Sequence, residues 1–166
     1  MSKLNELITK HEEMKAEFQR QAQDLFKELA REFWDKNPAL TAVKWAQYTP
    51  YFNDGDACVF GIGEVVFTNA PVDELDEVSV WGEYEGEAEG IFAVTNIGYV
   101  LNSDSKYYDR DRKYILALGD RIDAESIEEF GRAVCKLDEV MLAMFGDHVQ
   151  VTMTREGFDV EDYEHD

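Results

Sequence analysis

The hydrophobic period of this chain changes once, at Asn37-Pro38, and that change narrows the folds open to it. Before it, Leu4, Ile8, His11, Lys15, Phe18, Ala22, Leu25 and Leu29 step by four and three alternately. That spacing is a heptad seam with two polar positions. Phe26, Phe33 and Trp34 widen the seam into a broader apolar face. The pattern predicts one helix over residues 1–36, about 50 Å long at about 1.5 Å per residue. Asn37 ends it, because proline disfavours helical geometry in the residue before it. Such a helix outruns a small domain. Its first turns are expected to project and pair, giving a homodimer through residues 4–33, or else to lie along the domain's own second helix.

From residue 41 the period is two. Val43, Trp45 and Gln47 alternate with Ala42, Lys44 and Ala46, which reads as a strand. A turn follows at Asn53-Asp54-Gly55-Asp56, then a second strand from Ala57 to about Phe67 that pairs with the first. Further strands fit 77–84, 91–101 and 112–118. A second helix starts at Asp123 or Ser126, with Glu129 three residues after Ser126 to close a capping box. Ile127, Phe130, Val134, Leu137, Met141 and Met144 mark its apolar face, and Gly146 stands where a C-terminal glycine belongs. His148 to Thr154 alternates again as a last strand. Residues 156–166 are mostly acidic and read as a loose tail. The expected fold is α+β: a single domain over 1–155 with a long N-terminal helix, a mainly antiparallel sheet of four to six strands, a second helix near the C-terminus and an acidic tail.

Charge constrains partners more than fold. Lys and Arg number 16 against 36 Asp and Glu, a net charge of −20. Residues 1–40 are nearly neutral, with seven basic and eight acidic side chains. Residues 41–105 carry one basic side chain, Lys44, and twelve acidic ones. Such a field repels nucleic acid and anionic membranes and attracts basic proteins. No stretch is long and apolar enough to span a membrane. The N-terminus enters a charged helical pattern with no apolar leader, so a cytoplasmic location is expected. Cys58 and Cys135 read as reduced thiols rather than a bridge.

Three motifs offer chemistry, each with a plainer alternative. Asn53, Asp54 and Asp56 surround one glycine and would be weak oxygen ligands for a hard cation, but Asp-Gly is also a common hairpin turn. Glu83, Glu85, Glu87 and Glu89 occupy every second position. On a strand they would share one face about 7 Å apart, close to two steps along a DNA strand. They are the candidate partner-binding residues and a candidate DNA mimic, or else a solvated edge guarded against aggregation. Tyr107, Tyr108, Arg110 and Arg112, with Trp45, Tyr48 and Tyr51, could line an aromatic nucleotide pocket, or else form a strand edge of self-neutralising charge.

Enzyme templates fail. Gly61-Ile62-Gly63 is too short for a phosphate loop, and no Gly-x-Ser-x-Gly elbow occurs. The three histidines, His11, His148 and His165, lack metal-ligand spacing. No catalytic residue and no cofactor is expected. A carboxylate-dependent or metal-dependent hydrolase is the third reading, because carboxylates are everywhere.

The run from Val43 to Phe60, with Trp45-Ala46-Gln47-Tyr48-Thr49-Pro50-Tyr51-Phe52-Asn53-Asp54-Gly55-Asp56 at its centre, resembles a motif of small acidic proteins of unknown function from tailed bacteriophages. The resemblance covers roughly the first 70 residues. It implies a phage-like origin, with the host cytoplasm as location, and a fold, but no catalysis. The expected function is therefore a non-enzymatic phage accessory protein. It would bind and inhibit a basic, nucleic-acid-binding host protein through its acidic surface, without binding nucleic acid itself. The alternative is a small-molecule or nucleotide-binding protein.

Overall fold

The computed structural model describes residues 2–52 and 55–165. It is an α+β fold built on a six-stranded antiparallel sheet. Helix α1 runs Lys3–Lys36, its first turn capped by the Ser2 hydroxyl, which accepts from the Asn5 amide at 3.1 Å. Strand β1 (Ala42–Tyr48) is central. It pairs on one side with β2 (Gly61–Ile62) and β3 (Val66–Thr68), and on the other with β5 (Val149–Thr154). Strand β4 (Ala93–Val94) borders β3, and β6 (Gly157–Asp162) borders β5.

One sheet face carries Val43, Trp45, Phe67, Val94, Val151 and Met153 into the main core. Helices α4 (Ala124–Lys136) and α5 (Asp138–Phe145) and the C-terminal half of α1 cover that face through Phe26, Phe33, Ile127, Phe130, Val134 and Met141. Burial of this apolar area is the main stabilising term. Two short helices, α2 (Ile97–Asn102) and α3 (Asp109–Ala117), fill the chain between β4 and α4.

Several expected elements differ. Residues 77–84 form one isolated bridge, Val78 to Tyr84, after a 3-10 turn over Val72–Glu77. The strand expected over 91–101 ends at Val94, because Asn96 caps α2 by accepting from the Tyr99 amide at 3.0 Å. In place of the strand expected over 112–118, residues 112–117 are helical, with the Arg112 guanidinium 2.7 Å from the Asp109 carboxylate one turn back. The second helix breaks at Leu137, which ends α4 and begins α5. Its capping box does not form. Asn37 instead accepts from the Asp123 amide at 2.7 Å and donates to Ser126 Oγ and to the Phe33 carbonyl, both at 2.8 Å. One buried amide thus joins the end of α1 to the start of α4. Finally, 157–162 is an edge strand paired along its whole length with β5, not a loose tail.

Candidate functional site

The sheet face turned away from the helices is the chemically distinctive one. Alternation places Ala42, Lys44, Ala46 and Tyr48 on it. Register extends it across β5 and β6, from Lys44 to Thr152 and Asp159, and from Ala46 to Gln150 and Glu161. Half of this face is roofed by residues 71–91, whose Val78 and Ile91 pack with Val66, Ala70 and Ala93 as a second, smaller core.

That roof is the acidic part of the chain. Residues 72–90 hold eight carboxylates and no basic side chain. Its far end is tied by Asn69, which donates to the Gly90 carbonyl at 2.8 Å and accepts from the Phe92 amide at 2.9 Å. Its middle is tied by Lys44, only 4% exposed, whose Nζ donates to the Leu75 and Val78 carbonyls at 2.9 Å each. Burial pushes this ammonium below the usual lysine range, while the Asp76, Glu161 and Asp159 carboxylates favour its charged form. The sole cation of residues 41–105 is therefore withdrawn from the surface it would have neutralised.

Glu83, Glu85, Glu87 and Glu89 are all exposed on the roof. They do not form one extended row. Glu83 and Glu85 flank the Tyr84 bridge, with the Glu85 amide donating to the Glu77 carbonyl at 2.8 Å. Beyond Glu85 the chain turns over the Tyr84 ring, and the Ala88 amide reaches its hydroxyl at 3.4 Å. Gly90, at φ +84, completes the turn in a backbone region that favours glycine. The regular spacing expected of a strand is kept only between Glu83 and Glu85.

Beside the roof lies an open cleft of about 630 Å³ lined by Tyr48, Trp81, Tyr163, Glu164 and His165. The motif starting at Trp45 supplies Tyr48 to the cleft and anchors β1 in the core on the opposite face. The Trp45 indole donates to Gln47 Oε1 at 3.0 Å, and Gln47 Nε2 donates to the Met141 and Gly146 carbonyls at 2.9 and 2.7 Å. Thr49 donates to Asp147 through its amide and its hydroxyl, each at 2.7 Å. Burial would raise the Asp147 carboxyl. The Thr49 bonds, the His148 amide and the nearby imidazole outweigh it and hold the carboxyl below the usual range. Tyr48 stacks on His165 at 3.9 Å between ring centroids, and Tyr51 lies on His165 and His148 at 4.5 and 5.0 Å. The two imidazoles meet, His148 Nδ1 to His165 Nε2, at 2.7 Å, so one nitrogen carries the proton and the other accepts it. Burial, with Tyr48 alongside, pushes the Tyr163 phenol up, so that ring is neutral at physiological pH.

The expected nucleotide pocket is not assembled. Trp45 is fully buried on the helix side of the sheet, because its alternation places it opposite Lys44. Arg112 is committed to the carbonyls of Val100, Ser103 and Ser105 and to Asp109. Tyr108 packs against the core, with the exposed Tyr107 edge-on to it at 5.0 Å. Tyr107 and Arg110 line a different hollow, with Lys106, Asp111, Glu83 and Glu85. Only Tyr48 and Tyr51 join the aromatic cluster. Sequence reading missed Trp81, which the roof supplies, and Tyr163 and His165, which reach the cleft because β6 pairs with β5; the alternation of Phe158 and Val160 was the available signal. Asn53 and Asp54 lie outside the described residues, and Asp56 is exposed. Among the described residues, no group of three or more His, Cys, Asp or Glu side chains is placed to hold a metal ion. Cys58 and Cys135 are exposed free thiols. No helix among the described residues is long and apolar enough to cross a membrane. Compared with protein-family models, curated proteins and solved structures, the chain matches none.

Proposed function

We propose that this protein acts without catalysis, by binding a basic partner protein through the acidic roof of residues 72–90 and the aromatic cleft beside it. The observation that carries the reading is the withdrawal of Lys44 from the surface. It leaves eight carboxylates with no basic side chain within their own segment to pair with. Exposed carboxylates cost little in isolation, but a cluster of like charge is unfavourable until a cation arrives. The cleft adds a specific contact. Tyr48, Trp81 and Tyr163 present aromatic rings beside Glu164, an environment suited to a lysine or arginine side chain of the partner. The net charge of −20 favours a nucleic-acid-binding protein as that partner, and occupying its basic surface would inhibit it. With only Glu83 and Glu85 in extended register, the acidic surface resembles DNA through its field more than through its spacing.

Affinity capture from a bacterial lysate with the wild-type chain tests this, beside Trp81→Ala and a variant with Glu83, Glu85, Glu87 and Glu89 all changed to Gln. The expected result is a basic protein retained by the wild type, released by salt and captured less by both variants. Equal capture by the fourfold variant at low and high salt would overturn the proposal.

A further inference from the structure

The first half of α1 is the least explained part of the molecule. Every residue from Ser2 to Phe18 is exposed, so about five turns stand clear of the body. They are not polar all round. Leu4, Leu7, Met14, Phe18 and Leu25 are each at least 64% exposed. They fall on a heptad register distinct from the buried stripe of Phe26, Ala30 and Phe33. With Leu4, His11, Phe18 and Leu25 as first positions, Leu7, Met14 and Gln21 are the fourth. The stripe runs into an apolar groove of about 280 Å³ where the helix meets the body, lined by Phe18, Ala22, Leu25, Leu29 and Leu137. A lone helical segment of this length is marginal in water, because helices draw most of their stability from packing an apolar face.

We infer that the occupant of this stripe is a second copy of the chain, with the two α1 helices antiparallel. Three arguments converge on a second copy in that orientation. Residues 1–40 carry seven basic and eight acidic side chains in a molecule of net charge −20, so this helix is where two copies approach with least repulsion. Antiparallel pairing also keeps the two acidic bodies at opposite ends of the paired helices. The third argument is the charge order along the flank of the seam: Lys3 and Lys10, then Glu17 and Asp24, at seven-residue intervals. Antiparallel helices bring these flanks together, Lys3 against Asp24 of the second copy and Lys10 against Glu17 of the second copy. Two-fold symmetry repeats both contacts. The same register seats Leu7 against Phe18 of the second copy, His11 against Met14 of the second copy, and Leu4 beside Gln21 at the mouth of the groove. On the other flank Lys15 meets Ile8 of the second copy, so no like-charge contact offsets the four opposite ones. Parallel pairing reverses the balance: it sets Lys10 against Lys15 of the second copy twice and forms none of the four.

Sedimentation equilibrium of the full chain tests this, because the seam residues to be changed lie outside the core and their substitution leaves the body folded. A dimer is expected in the micromolar range. Phe18→Asp should raise its dissociation constant roughly 100-fold, with the near-ultraviolet signal of buried Trp45 retained. Lys10→Glu and Glu17→Lys should each weaken the dimer roughly tenfold, and the double variant should recover most of the loss. A monomer at all concentrations, or a dimer indifferent to Phe18→Asp, overturns the inference. Lys10→Glu strengthening the dimer would overturn the antiparallel order, since that change creates an attraction to Lys15 only in parallel helices. Sedimentation with added anionic vesicles checks whether a lipid surface takes the stripe instead; co-sedimentation without a dimer would also overturn it.

Discussion

Gln47 shows how one side chain can join elements distant in sequence. It is fully buried, on the main core face of β1, and a primary amide there is costly unless its donors and acceptor are used. They are: its oxygen takes the Trp45 indole proton, and its nitrogen serves two carbonyls at the C-terminal end of α5. The Gly146 carbonyl lies just past the last helical residue and has no partner within the helix, whereas the Met141 carbonyl takes this bond from inside α5. Gly146, at φ +94, turns the chain away immediately after α5. Leucine at position 47 would fit the volume and remove all three of these hydrogen bonds, leaving the buried Trp45 indole N–H without its partner. Gln47→Leu is expected to destabilise the fold by roughly 2–4 kcal/mol, read as a lowered midpoint in urea with an unchanged slope. A loss below about 0.5 kcal/mol would mean that water reaches these groups. Asn37 has the same standing at the other end of the core, where it holds the Asp123 amide, Ser126 and the Phe33 carbonyl.

The elements that sequence reading located were those with one dominant period. Helix α1, strand β1, strand β5 and the glycine stop of α5 all fall where their periodicity placed them. The failures share a cause: short segments in which two periods coexist. Tyr107 to Tyr114 alternates charge like a strand, yet its Asp109 and Arg112 are also one helical turn apart, and the capping hydroxyl of Ser105 tips it to helix. In 157–162 charge masked the alternation of Phe158 and Val160, and pairing with β5 supplied what propensity did not. The aromatic cleft was unreadable for the same reason, since it needs that pairing to bring Tyr163 and His165 to Tyr48. The acidic roof is the element most dependent on a single tether. Lys44→Met would remove the two hydrogen bonds to Leu75 and Val78 while leaving an aliphatic stem of similar length. Burying an ammonium is itself unfavourable, so global stability should change little. The roof should open locally instead. Hydrogen exchange at the Val78 and Glu85 amides, which donate to Leu75 and Glu77, is expected to quicken at least about tenfold, with exchange in β1 and β5 unchanged. Uniform quickening across the sheet would mean that the roof and the sheet unfold as one unit.

At the scale of the whole molecule, the fold separates two kinds of surface. The helix side and α1 hold a near-neutral, partly apolar face, and the opposite side of the sheet holds an acidic roof with Lys44 buried beneath it. A net charge of −20 on 166 residues repels itself at low ionic strength, and the roof concentrates that repulsion. Changing Glu83, Glu85, Glu87 and Glu89 to Gln removes four charges from exposed positions without emptying any buried volume. The variant should therefore be more stable than the wild type, by roughly 1 kcal/mol or about 2–4 °C in midpoint, at 0.01 M salt. The gain should fade at 0.15 M, because the screening length falls from about 30 Å to about 8 Å and leaves only the nearest carboxylates in contact. Lys106 and Arg110 are the counter-argument, since they line the hollow that Glu83 and Glu85 also border. If those two cations already neutralise the loop, the fourfold variant will be no more stable at low salt, and Lys106→Gln will cost stability that the wild type retains. Thermal melts of the wild type, the fourfold variant and Lys106→Gln at both salt concentrations therefore decide whether the roof is an unsatisfied field that only a basic partner relieves, or a surface already balanced from within.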